Sequence, residues 1–144
     1  MAESVRFAVA IHVLVLLAVE DREPKTSSYI AGSVNTNPVV VRRILSRLRR
    51  AGLVAGHTGP GGGFRLLRDP RQVSLAAVYR AVETRPPIAL HQGPNPSCPV
   101  GKNVGGVLEG VSDRATRAML TALKGLTLAQ IVSQVKARAD GALG

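Results

Sequence analysis

Tryptophan is absent from these 144 residues, cysteine occurs once and aromatic side chains make up only 3%. A core without large rings must be aliphatic and alanine-rich, which suits packed helices. The single cysteine, Cys98, cannot close an internal disulfide, nor can it alone supply the four ligands of a structural zinc or an iron–sulfur cluster. We therefore expect no cofactor of that kind, and a reducing, cytoplasmic setting. Carboxylates are scarce as well: 9 Asp+Glu stand against 19 Lys+Arg, giving a net charge of +10. That leaves little for acid–base catalysis, and since most of the cations are arginine, a polyanionic partner is implied. Long apolar runs are also missing. Val5 to Val19 falls short of the ~20 residues that span a bilayer, carries Arg6 and His12, and is followed by no small-residue cleavage signal. It reads as a buried helix, with no membrane partner.

What is present is a chain of one domain's length, 45% hydrophobic and so not a disordered tail. Ser4 predicts the cap of a first helix through Val19, apolar on almost every side and so covered nearly all round. After the turn Glu20 to Lys25, Thr26, Ser27 and Ser28 offer caps for a short helix to Val34. Asn37 and Pro38 suit the cap and first position of a third helix to Ala51, with Val41, Ile44, Leu45, Leu48 and Ala51 on one buried face. Leu53-Val54 and Phe64 to Leu67 predict two short strands around the glycine-rich turn Gly59 to Gly63. Ser74 caps a further helix to Glu83, and prolines mark Thr84 to Pro99 as a loop. Val100, Val104, Val107, Val111, Ala115, Ala118 and Ala122 then form a narrow apolar seam on a long helix, which suits packing against a second copy in a two-fold dimer. Gly105, Gly106 and Gly110 would weaken that helix locally or allow close approach. Thr127 caps a last helix from Leu128 to about Ala139.

Two helices, a tight turn and a glycine-tipped hairpin follow the order of a winged helix-turn-helix, whose second helix enters the major groove. Eight arginines lie between Arg42 and Arg71 against one acid, Asp69. The expected DNA contacts are Ser28 and Tyr29 on the second helix; Thr36, Asn37, Pro38, Val39, Arg42, Arg43 and Arg47 around the third; and Thr58, Gly59, Gly61 and Arg65 on the wing. Asn37, Val39, Arg42 and Arg43 are placed to reach bases, Thr58 and Arg65 the backbone or minor groove. The tip lacks the Gly-Lys-Ser/Thr ending of a nucleotide-binding loop. Other readings stay open: a merely solvated cationic face, a sequence-independent nucleic-acid binder without a sensing role, or a small enzyme with Cys98 as nucleophile and His91 or His57 as base. The poverty of carboxylates and the absence of any cofactor-binding fingerprint weigh against an enzyme.

The segments Ser4 to His12, Asn37 to Val54 and Gly59 to Phe64, continued by Leu75 to Glu83 and Asn95 to Gly101, resemble the Rrf2 family of bacterial regulators. The resemblance implies a mainly α fold, a winged helix-turn-helix with a two-stranded β wing and a long C-terminal dimerisation helix. It divides the chain into a DNA-binding head (1–83), a Pro-rich sensor loop (84–98) and a dimerisation segment (99–144). It implies a homodimer, usually a repressor, on a palindromic double-stranded DNA operator. Cluster-binding relatives carry three cysteines in that loop, whereas here Cys98 stands alone. Pro99 would set Cys98 at the N-cap of the long helix, near Lys102, a position that favours a thiolate. The sensor is accordingly expected at Cys98 and His91, responding to a redox change or a small molecule. A buried structural cysteine is the competing reading.

Overall fold

In a computed structural model of the protein, which describes residues 4–143, the chain forms six helices and one two-stranded antiparallel sheet. In order they are α1 (Arg6–Val19), α2 (Ser27–Val34), α3 (Pro38–Arg50), β1 (Val54–His57), β2 (Gly63–Leu66), a 3₁₀ turn (Pro70–Gln72), α4 (Leu75–Val82), α5 (Pro99–Lys124) and α6 (Leu128–Leu143). The architecture is the mainly helical winged fold the sequence implies.

The apolar α1 is the mast of the molecule, with α2, α3, α4, α6 and β2 packed around it. Val9, Ala10, Val13, Leu14, Val15 and Leu17 of α1 are buried, and they meet Ile30 of α2 together with Val41, Ile44, Leu45 and Leu48 of α3. Ser4 does not cap α1, contrary to expectation. The cap residue is Val5, which makes no side-chain cap bond; Ser4 Oγ accepts only a long bond from the Arg6 amide, at 3.4 Å, and donates to the Glu83 carboxylate at 2.8 Å. That carboxylate also accepts from the Phe7 amide at 3.2 Å. A residue from the end of α4 thus places its negative charge at the positive end of α1, doing the work of the missing cap. Phe7 and Tyr79 meet edge to face beside it, with centroids 5.6 Å apart.

The first strand begins one residue later than expected and runs on to His57, whereas the second is shifted one residue earlier, to Gly63–Leu66. Leu53 is consumed in closing α3, its amide donating to Leu48 O at 2.9 Å and its side chain buried. Pairing therefore starts at Val54↔Leu66 and runs to His57↔Gly63. Ala55, Gly56 and His57 are poor strand formers, so the ladder is imposed by β2 rather than by local preference.

The long helix α5 is continuous through Gly105, Gly106 and Gly110. Ser112 is its buried residue, and Ser112 Oγ donates to Ile88 O in the preceding loop. The last helix returns to the head. Thr127 and Gln130 cap each other's amides at 2.9 and 3.2 Å, a reciprocal arrangement that satisfies two otherwise orphaned donors. Immediately beyond, Leu128 is fully buried in the core around α1, and α6 runs past Ala139 to Leu143. The junction is stitched by Leu128 N to Val73 O at 2.8 Å and Leu75 N to Leu126 O at 2.9 Å.

Candidate nucleic-acid interface

The turn between α2 and α3 is set by three short-range devices. Thr26 Oγ1 accepts from the Tyr29 amide at 3.1 Å to start α2. Asn35 ends it in the left-handed region at φ 58°, a conformation that asparagine tolerates better than most residues. Asn37 Oδ1 then accepts from the Val39 amide at 2.8 Å, and Pro38 occupies the first position of α3. The Asn37 oxygen is therefore committed to the cap, leaving its amide NH₂ for any outside partner.

Helix α3 has two opposed faces. Val41, Ile44, Leu45 and Leu48 are buried, while Ala51, expected with them, is the exposed C-cap where the helix has ended, and Val39, Arg42 and Arg43 are exposed at its N-terminal half. Arg47, expected on the outer face, is half-buried. Ser28 is exposed, Thr36 is half-buried, and Pro38 is exposed beside the cap. Tyr29 is 48% exposed, but its hydroxyl donates to the Glu20 carboxylate at 2.7 Å, and Lys25 Nζ lies 5.1 Å from its ring centroid. The bond to Glu20, aided by desolvation and by that carboxylate's charge, pushes the phenol up from its ordinary value. Tyr29 thus stands at the interface already engaged on its inner side.

The wing carries Thr58, Gly59 and Gly61 exposed at its tip, with Arg65 exposed on β2. Gly59 and Gly61 have φ values of 87° and 73°, which glycine alone adopts without cost. At the foot of the wing, Lys25 and Phe64 exchange two backbone hydrogen bonds of 3.0 and 2.8 Å. Gly63 makes that approach feasible: a Cβ there would sit 2.6 Å from Lys25 backbone atoms, at φ +143°. Gly63→Ala should consequently detach the wing from the α1–α2 turn at a cost of about 1–3 kcal/mol. Amide exchange at Lys25 and Phe64 should quicken while that of α1 stays slow.

Not all of the arginine cluster is available to a polyanion. Arg71 pairs with Asp69 at 2.6 Å. The Arg71 side-chain and backbone hydrogen bonds hold the Asp69 carboxyl down to about 2, so the pair persists at neutral pH and is lost only as the pH falls through that value. Arg68 Nε donates to Gly52 O at 3.3 Å. The guanidinium of Arg49 extends toward Gly56 of β1 and so lies at the seam of α3 and the wing. Lys25 was not anticipated; its contribution is a backbone pairing, for which side-chain type gives no signal.

Cys98 occupies the N-cap of α5 as expected, half-buried and making no side-chain cap bond. Its amide donates to Asn95 O at 3.2 Å. His91 is exposed, and no hydrogen bond joins it to Cys98 among the described residues. His12 shares a hydrogen bond of 3.1 Å with Ser33 Oγ between α1 and α2.

A helix-turn-helix with a hairpin wing and a cationic, solvent-facing second helix defines a DNA-binding transcriptional regulator, not an enzyme. The chain belongs to the Rrf2 family, whose model, described as an iron-dependent transcriptional regulator, matches residues 4–134. YwnA of Bacillus subtilis (strain 168), an HTH-type transcriptional regulator by its name, is 40% identical over 131 residues, spanning 90% of this chain and 96% of that protein. A crystal structure described as a DNA-binding protein is 40% identical, with TM-score 0.68 over 88% of this chain and 97% of its own. A transcriptional regulator from Lactobacillus plantarum, 23% identical, superposes with TM-score 0.78 over 92% of this chain and 90% of its own, and shows the shared fold.

The family description invokes iron. Cys98 is the single cysteine, and among the described residues no three His, Cys, Asp or Glu side chains converge. No helix among the described residues is long and apolar enough to cross a membrane.

Proposed function

We propose that the protein is a homodimeric repressor that binds a pseudo-palindromic double-stranded DNA operator through α3 and the wing, in the cytoplasm and without a metal cofactor. The observation that carries this reading is the division of α3: one face is buried to the last leucine, while Val39, Arg42 and Arg43 stand in solvent at the end that reads bases in helix-turn-helix proteins. Arg65 and the wing tip lie beyond it for phosphate and minor groove. The dimer is supported by the seam on α5, where Val100, Val107 and Val111 are 71%, 67% and 51% exposed in the single chain. A row of solvated valines on a continuous helix is covered when a second copy packs on it.

The test is to recover the operator by selection from genomic fragments with excess competitor at about 0.15 M salt, then to titrate two variants. Arg43→Ala should cost about 1–3 kcal/mol on the operator and flatten the preference at one base position. Arg65→Ala should weaken all DNA evenly and reduce the slope of log K against log salt by about one. An even loss from Arg43→Ala would instead favour a sequence-independent binder.

The loop 84–98 joins the reading head to the dimer helix, so the sensing step of this proposal falls at Cys98, with His91 nearby in sequence. Modification of a thiol at the N-cap of α5 would disturb both. Faster alkylation of Cys98 than of free cysteine would support it; an equal or slower rate would remove its basis.

A further inference from the structure

A cleft of 230 Å³ opens between the α1–α2 turn and the foot of the wing. Leu17, Phe64 and Pro70 supply apolar surface to its lining. Its lining carries both signs of charge: Asp21 and Glu23 stand there together with Arg65 and Arg68, and none of these four forms an ion pair within 4 Å among the described residues. The two guanidiniums are tethered instead by backbone carbonyls: Arg65 Nη2 donates to Arg22 O at 3.2 Å, and Arg68 Nε to Gly52 O at 3.3 Å. Each tether uses one N–H and leaves the rest of the donor fork free. A guanidinium with donors left free in this way suits a carboxylate, whose two oxygens match the donor fork.

We propose that this cleft binds a small zwitterion, an α-amino acid with an aliphatic side chain, its carboxylate on Arg65 and Arg68 and its ammonium between Asp21 and Glu23. The side chain would lie on the apolar surface of Leu17, Phe64 and Pro70. The volume is below the roughly 300 Å³ at which pockets for drug-sized ligands begin, so the ligand is small. This site is separate from Cys98, and its regulatory consequence rests on the operator-binding reading above. Arg65 is there assigned to phosphate; a carboxylate bound to it withdraws that contact, and the Lys25–Phe64 pairing makes both walls of the cleft part of the wing's support. Occupancy therefore weakens DNA binding.

The experiment is calorimetric titration of the full chain, without DNA, using L-valine, L-leucine and L-methionine. Leucinamide and 4-methylpentanoate, which lack the carboxylate and the ammonium respectively, serve as controls. At least one amino acid should bind, both controls should lose most of the affinity, and Arg68→Gln and the double variant Asp21→Asn/Glu23→Gln should each weaken binding by tenfold or more with unchanged circular dichroism. Failure of all three amino acids to bind at concentrations well above a millimolar overturns the proposal, as does equal binding of either control or indifference to both variants. A second titration onto operator DNA should show a salt slope smaller by about one with the amino acid present. Since the first titration contains no DNA, it tests the cleft even where the operator reading fails.

Discussion

Val107→Asp will produce a monomer and lower operator affinity by about 10²–10⁴-fold, the range by which linking two binding modules exceeds one alone. Val107 is 67% exposed in the single chain, so the substitution costs the isolated fold little. In a two-fold dimer the same change enters twice, because the seam of each copy meets the seam of the other. Each aspartate would then be buried among valines without a cation, which is strongly destabilising to the interface. Each half-site would be left to bind alone. Light scattering should give the mass of one chain, and DNA titration should show weak binding that no longer depends on half-site spacing. A variant that remains dimeric would show that α5 is not the interface.

The second large effect concerns stability. Leu128→Ala should destabilise the fold by about 2–5 kcal/mol, the range for a leucine removed from a core that cannot collapse around the space. That is a substantial part of the roughly 5–15 kcal/mol by which domains are stable. Leu128 is fully buried, in one cluster with α1, α3 and α4 residues. The loss should therefore appear as faster amide exchange throughout α1 and α4, and as a lower denaturation midpoint at fixed protein concentration. Exchange confined to α6 would mean that the last helix is an appendage rather than part of the core.

Much of the fold was legible because its signals are local. Asn37-Pro38 specifies the start of α3 through a side-chain acceptor and a fixed φ, and Ser74 specifies α4 through its bond to the Ala77 amide. The buried face of α3 followed from the spacing of four aliphatic residues. What remained hidden is long-range. Ser4 carries a cap residue's chemistry, yet its hydroxyl goes to Glu83, a partner 79 positions away that no pattern around Ser4 reveals. The Lys25–Phe64 pairing uses backbone groups that every residue possesses. For the candidate interface, charge asymmetry found the arginines, but only coordinates separate Arg71, engaged by Asp69, and the half-buried Arg47 from the solvent-facing Arg42 and Arg43. The charged residues that line the cleft come from segments about 40 residues apart and are neighbours only because β2 pairs with the turn.

The antiparallel bridge between Ser74 and Thr127 has a consequence for how the protein is made. The head's own helices α1 to α4 are complete on the ribosome once Val82 has been added, yet the side of α1 reserved for α6 stays open until Leu128 and Ile131 arrive. At about 5–20 residues per second, that leaves a few seconds in which an apolar groove faces solvent. A polypeptide whose synthesis stalls within α5 would display the arginine-bearing α3 on an unfinished core, open to proteolysis. The core around α1 is therefore closed only in chains that also carry the whole of the long helix.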